Sequence, residues 1–256
     1  MEYKTVAEAR DLPGLRLVLS VETPGPWGIA ARALFDVRKV DYVPVAQNVM
    51  QPNRDLVEWT GRRNAPVAVY NDEAPVDSWL EIMNLAERLG SGASLFADDP
   101  VDRALGVGFS AEICGAGGFG WARRLGMLRA GGGDGFGGDS ETMAQIARAY
   151  GIEPEAIASA PARVAGIMRG LAGRLHSQRA AGSRYLVGNR VLACDIHWAC
   201  LSQLIRRLPE EECRLPPGLG EMFDALGEEE RAAFDPILIE HRDHIWREHI
   251  GLPLDY

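Results

Sequence analysis

Every strand-like run in this chain falls before residue 77, and from there on the patterning is helical. That asymmetry restricts the fold to a small α/β unit followed by an all-α one. The first run, "LRLVLSV" (15–21), is short, apolar and rich in strand formers. It leads into "PWGIAARALFDVRKV" (26–40), where Ile29, Ala33 and Val37 recur at helical spacing with Ala30 and Leu34 beside them. Pro26 suits the first helical position, where a missing N–H costs nothing. "DYVPVAQ" (41–47) reads as a second strand, and Pro44 places it at a sheet edge. "QPNRDLVEWTG" (51–61) is a short helix closed by Gly61. "VAVY" and "APV" flank the polar turn "NDE" as an antiparallel hairpin. Asp77 and Ser78 then open a helix whose apolar stripe reads Leu80, Met83, Leu85, Ala86 and Leu89.

The order β-α-β-α-β-β-α thus fills residues 1–90. Residues 91–98 read as a linker, and 99–256 as an all-helical domain. Helices are expected over about 99–114, 140–149, 154–180 and 190–207, with a mixed helical tail to about 250. One segment interrupts them: "GAGGFGWARRLGMLRAGGGDGFGGDS" (115–140), dense in glycine, is expected to break helices and to be a mobile loop of the length functional lids have.

Charge and cysteine usage narrow the function. The 256 residues suffice for a large core without covalent staples. Acidic residues outnumber basic ones on both sides of Gly90 and the net charge is −9, so a nucleic-acid footprint is absent. No apolar run reaches the length of a membrane span. The opening "MEYKTVAEARDLPG" lacks a basic stretch followed by an apolar one, so no secretory signal is visible and a cytoplasmic location is expected. Cys114, Cys194, Cys200 and Cys213 fit neither a zinc nor a disulfide spacing and read as free thiols.

Three motifs read as ordinary structure. "GAGGFG" (115–120) and "GDGFGG" (133–138) match a dinucleotide fingerprint, but that fingerprint needs a preceding strand, and here the setting is helical. "EHRDHIWREHI" (240–250) holds His241, His244 and His249. On a regular helix His249 points roughly 80° from the first and roughly 140° from the second, so no metal site is expected. His197 in "CDIHWAC" sits on an apolar helix as a core histidine, and no GxSxG nucleophile elbow occurs.

The region around the hairpin is different. Pro66 stands immediately before a strand. A cis bond after Ala65 would leave a backbone N–H and C=O at a sheet edge, able to pair with a peptide-like ligand. Asp77 and Ser78 begin a helix whose exposed N–H groups favour a carboxylate, while Asp77 suits an ammonium. Each group alone reads as an edge-strand proline or an ordinary cap. Together they fit a ligand with an amino-acid end and an extended peptide stem.

These residues, "RNAPVAVYNDEAPVDSWLEI", resemble the glutathione transferase superfamily, and the layout of nearly the whole chain is similar to it. The resemblance implies an α/β thioredoxin-like N-terminal domain followed by an all-α C-terminal domain. It implies that Ala65, ahead of Pro66, pairs its backbone with the cysteinyl part of glutathione, and that Asp77 and Ser78 hold the γ-glutamyl end. "LVGNRVLACDIHWACL" (186–201) looks like the family's GxxxTxAD stretch, with Gly188 and Asp195 matching and Leu192 where a hydroxyl is expected. Such proteins place Ser, Cys or Tyr near the end of the first strand. Here "SVETPGPWG" (20–28) offers Thr23 and Glu22, with Gly25 near the catalytic slot and no cysteine in the first domain.

The expected chemistry follows from the thiol. Lowering its pKa by two units takes roughly 2.7 kcal/mol of preference for the thiolate. The Thr23 hydroxyl and the backbone N–H groups of Trp27 and Gly28 at a helix start can supply part of it. Glu22 would oppose a thiolate nearby or act as a general base. The resemblance implies glutathione as co-substrate without a metal, a small hydrophobic electrophile lined by Trp27, Trp121 and Arg123 under the glycine-rich loop, and a homodimer. A non-catalytic glutathione- or ligand-binding protein of the same fold is the alternative.

Overall fold

A computed structural model of the chain describes residues 1–49, 51–130 and 154–256. It begins with α1 (Val6–Ala9), β1 (Leu15–Ser20), α2 (Pro26–Val37), β2 (Tyr42–Gln47), α3 (Arg54–Thr60), β3 (Val67–Tyr70) and α4 (Trp79–Leu89). The strands form one mixed sheet in the order β2-β1-β3, with β1 parallel to β2 and antiparallel to β3. The central strand is apolar at Leu15, Leu17, Val18 and Leu19 because both its faces are covered, and the buried Arg16 donates to the carbonyls of Gly14 and Asn71. Leu15, Leu17 and Leu19 join the main core with α2 and α4, while Val18 packs with Val6, Val45 and Leu56 on the other face.

Pro44 lies on the edge strand, as its missing N–H requires. Its carbonyl accepts from Lys4 N–H at 2.9 Å, so the nitrogen without a proton faces away from β1. The expected hairpin is reduced to one strand and a single bridge. Ala68 and Val76 exchange backbone bonds at 2.8 and 2.9 Å, and Asn71 turns the chain with φ 48°. The stripe of α4 differs from the sequence expectation: Ile82, Met83, Leu85 and Ala86 are buried, whereas Leu80 is exposed. The four-residue α1 had no counterpart in the sequence reading.

Helices follow: α5 (Pro100–Cys114), α6 (Phe119–Ala130), α7 (Pro154–Ala180), α8 (Ala193–Leu201) continued by a 3-10 turn (Ser202–Leu204), α9 (Leu219–Asp224), α10 (Glu228–Ala232) and α11 (Ile237–Ile245), which runs into a π turn (Trp246–Ile250). Among the described residues no strand occurs after β3. The expected helix over 140–149 and the "GDGFGG" match lie outside the described residues. The "GAGGFG" match is not an open loop. Gly115 caps α5, Gly117 adopts φ 70°, and α6 starts at Phe119, so the first half of the glycine-rich segment is a tight turn and a helix. Gly120 serves close packing: a Cβ there would lie 2.5 Å from Leu201 Cδ2 and 2.8 Å from Trp27 Cζ2.

α8 is the axis of the helical half. Asp195, fully buried, accepts from Leu192 N–H and Leu186 N–H, both at 2.8 Å, and His241 Nε2 lies 3.2 Å from its Oδ1. The carboxylate thus ties down the segment leading into the helix, while the first helical amide, Ala193 N–H, donates to Leu95 C=O at 3.0 Å. His197 is a satisfied core residue: Nδ1 lies 2.9 Å from Ser110 Oγ, its ring meets Trp79 edge-on, and burial lowers its pKa to about 4. All four cysteines are free and buried. Burial pushes their thiols up, that of Cys213 to about 11, which makes them poor nucleophiles.

The histidine run departs from the regular helix assumed for it. The π turn adds a residue per turn, so His244 and His249 meet with ring centroids 5.8 Å apart, and both rest against Tyr185. Among the described residues no cluster of three metal-ligating side chains forms, and no helix is long and apolar enough to cross a membrane.

Candidate functional site

The corner after β1 is built by its own sequence. Glu22 takes φ 55°, Gly25 N–H donates to Thr23 C=O at 2.8 Å, and Gly25 is the residue before α2. Glycine has no side chain to cap that helix, and Pro26 at its first position has no N–H to be capped. The N–H groups of Trp27 and Gly28 precede the first intrahelical bond, which runs from Ile29 N–H to Gly25 C=O. They are the donors of an uncapped helix start.

This corner forms one wall of a cavity of about 260 Å3 between the two halves of the chain. Thr23, Gly25, Trp27 and Gly28 line it, with Ser20 and Gln47 behind them. Ser20 Oγ donates to Gln47 Oε1 at 2.8 Å, so this hydroxyl is engaged. A second wall comes from the loop before β3, through Arg63, Asn64 and Ala65. The Ala65–Pro66 bond is cis, and the β1–β3 register ends at Val18 opposite Val67, so the backbone of Ala65 lies beyond the ladder. The helical half closes the cavity with Arg124 and Met127 of α6, Leu204, Leu219 and Phe223.

The residues singled out from sequence divide into three groups. Thr23, Trp27 and Ala65 share the cavity, and Trp27 also joins the two halves by donating Nε1–H to Cys114 C=O at 3.2 Å. Asp77 and Ser78 stand at the exposed start of α4, outside the cavity lining, as does Pro66. There Arg62 Nε donates to Asp77 Oδ2 at 2.6 Å. Ser78 Oγ accepts from Glu81 N–H at 3.2 Å and donates to Glu81 Oε2 at 2.6 Å. Glu22, Trp121 and Arg123 are also outside the lining. Glu22 is exposed on the turn. Arg123 is 2% exposed and wholly internal: it donates to the carbonyls of Leu204 at 2.8 Å, Phe223 at 3.2 Å and Ala225 at 2.8 Å, beside Glu230. The cavity takes the next face of the same helix, Arg124 and Met127.

Sequence reasoning also missed Tyr3, Leu254 and Tyr256, which reach the cavity from the two ends of the chain. Neither segment carries a local signal for that position, because the contact is made by the fold and not by the pattern.

No family model matches the sequence, and no curated protein matches it. Solved structures do match. A glutathione S-transferase from Methylobacterium radiotolerans JCM 2831, in complex with glutathione sulfonate, is similar over 94% of this chain and 97% of its own, at 14% identity and a TM-score of 0.59. The beta-etherase LigF from Sphingobium sp. strain SYK-6 is similar over 90% and 99%, at 17% identity and 0.58. A glutathione S-transferase from Methylobacillus flagellatus KT with glutathione bound is similar over 86% and 98%, at 14% identity and 0.57. The chain has the glutathione S-transferase fold: a thioredoxin-like α/β unit and a helical unit, with no subclass assigned.

Proposed function

We propose that this protein binds glutathione in the cavity between its two halves and uses the thiolate on a small apolar electrophile. The observation that supports this most is the uncapped start of α2, with Thr23, facing the same cavity as the unpaired backbone at Ala65. The cysteinyl backbone of glutathione would pair with Ala65, next to cis-Pro66. Its sulfur would then stand at the Thr23 hydroxyl and the amides of Trp27 and Gly28. A helix start and a hydroxyl favour the anion of a thiol over its neutral form. The γ-glutamyl end would extend to Asp77 and the start of α4, its ammonium competing with Arg62 for the Asp77 carboxylate. Glu22 has no part in this reading, being outside the cavity. The apolar side chains of Leu204, Met127, Leu219 and Phe223 would hold the electrophile, in place of Trp121 and Arg123.

Two readings share this cavity, and one substitution separates them. In a transferase, Thr23→Ala retains glutathione binding and lowers turnover of an aromatic halide by about ten- to a hundredfold. In a non-catalytic binder, wild type raises its melting temperature with glutathione and turns over no electrophile. Absence of any thermal shift removes both readings. The domain division at 1–90, 91–98 and 99–256, a cytoplasmic location and a homodimer complete the proposal. Exposed Leu80 on α4 and Val101 and Leu105 on α5 support the dimer, which size-exclusion chromatography with light scattering tests directly.

A further inference from the structure

The last six residues are built into the cavity. After the π turn the chain reverses at Gly251, whose N–H donates to Trp246 C=O at 2.7 Å, and Leu254 N–H donates to Glu212 C=O at 2.8 Å. Arg32, on the helix that carries the thiol corner, donates to the Asp255 carbonyl and, through Nε, to Asp36 Oδ2 at 3.1 Å. The amino group of Met1 meets the Asp255 carboxylate. The result places Leu254 and Tyr256 in the same lining as Thr23 and Trp27.

Tyr256 lines the cavity. Its hydroxyl is buried beside the Cys213 thiol, with which it interacts without a well-formed hydrogen bond, and Cys213 is not part of the lining. The polar end is thus buried beside a residue outside the lining. Tyr3, Trp27 and Phe223 also line the cavity, so four aromatic residues from four separate segments border one space. Aromatic faces recognise other aromatic rings by offset or edge contacts that aliphatic chains of equal area do not make.

We infer that residues 251–256 form the specificity wall of the second-substrate end, and that Tyr256 selects planar aromatic compounds over extended aliphatic ones. The inference deepens the proposed glutathione reading and rests on it for the position of the second substrate. Arg32 acts here as a positioning residue that fixes the wall to the helix of the thiol corner. Its guanidinium is occupied by Asp36 and the Asp255 carbonyl, so the selection is by shape and ring contact.

The test titrates glutathione, S-hexylglutathione, S-(4-nitrobenzyl)glutathione and 1-anilinonaphthalene-8-sulfonate into wild type, Tyr256→Leu and Tyr256→Phe, each shown folded by its melting temperature. Leucine keeps apolar volume without a ring, and phenylalanine restores the ring. We expect Tyr256→Leu to weaken the nitrobenzyl conjugate by about three- to tenfold, and the hexyl conjugate and glutathione by less than about twofold. Tyr256→Phe returns all three to within about twofold of wild type. Equal losses for hexyl and nitrobenzyl, or no loss for either, would overturn the inference. If no glutathione compound binds wild type, the glutathione reading fails by itself. The naphthalene probe, which needs no thiol site, then decides the wall: a loss with Tyr256→Leu that Tyr256→Phe restores supports it, and unchanged binding refutes it.

Discussion

Two helix starts in this molecule are built in opposite ways. At the start of α8, the fully buried carboxylate of Asp195 takes the N–H groups of Leu192 and Leu186, and His241 stands against it. At the start of α2, Gly25 has no side chain to offer and the helix opens onto a cavity. The first start is closed from within the chain, Ala193 N–H donating to Leu95 C=O at 3.0 Å while Asp195 anchors the segment before it. The second leaves its donors for something that is not part of the chain, at the expense of a cap worth a few tenths of a kcal/mol over glycine. α4 stands between them, with Ser78 bonded to Glu81 N–H yet exposed to solvent.

The contrast is broken most violently at Asp195. Asp195→Ala leaves the buried amides of Leu186 and Leu192 without their acceptor, and we expect a loss of about 3–5 kcal/mol in urea unfolding. A loss below about 1 kcal/mol would mean that this carboxylate does not anchor the entry to α8. The buried His197 beside it makes the helical half acid-sensitive. Its folded pKa, about 4, lies below the ordinary 6.5, so the unfolded chain binds the proton first. Its contribution is complete above about pH 6.5 and is lost as pH falls toward 4, about 3 kcal/mol in all. Burial lowers His244 and His249 as well, with the same sign. Urea midpoints measured from pH 7 to 4 should therefore fall, and the fall should flatten in His197→Gln.

The intermediate start gives a smaller effect. Ser78→Ala removes the cap of α4 and should cost about 1 kcal/mol. On the glutathione reading it also weakens the ligand, whereas unchanged affinity would separate α4 from the site. The smallest stability change belongs to the open start. Gly25 has φ −62° and ψ 125°, which any residue adopts, and a Cβ there meets nothing within 4 Å. Gly25→Asp should therefore be tolerated and stabilise by a few tenths of a kcal/mol, because the new carboxylate caps Gly28 N–H.

What could be read from the sequence was local. Pro26 at a helix start, Pro44 on an edge strand, Pro66 before β3 and Gly61 closing α3 each obey a rule about one residue and its neighbours. The strand-to-helix change of texture likewise reflects periodicity alone. What escaped depends on phase or on distant chain. Arg123 and Arg124 are adjacent on α6, and only the packed structure shows that the first is tied to four carbonyls while the second reaches the cavity. The glycine density around them concealed both the helix and its phase. His244 and His249 were separated by assuming regular turns, and one π turn brings them together. Tyr3 and Tyr256 line the same cavity from opposite ends of the sequence, a contact that no window of residues contains.

The open start is also where the central claim is most exposed. Calorimetric titration of glutathione into wild type and Gly25→Asp at pH 7 compares the same chain with its donors free and capped by an acceptor-only carboxylate. We expect one site per chain in wild type with a Kd of about 1 mM or tighter, and about five- to tenfold weaker binding in the more stable Gly25→Asp. No heat of binding in wild type at about 10 mM glutathione, or equal affinity in the two proteins, would contradict a thiol site at this corner.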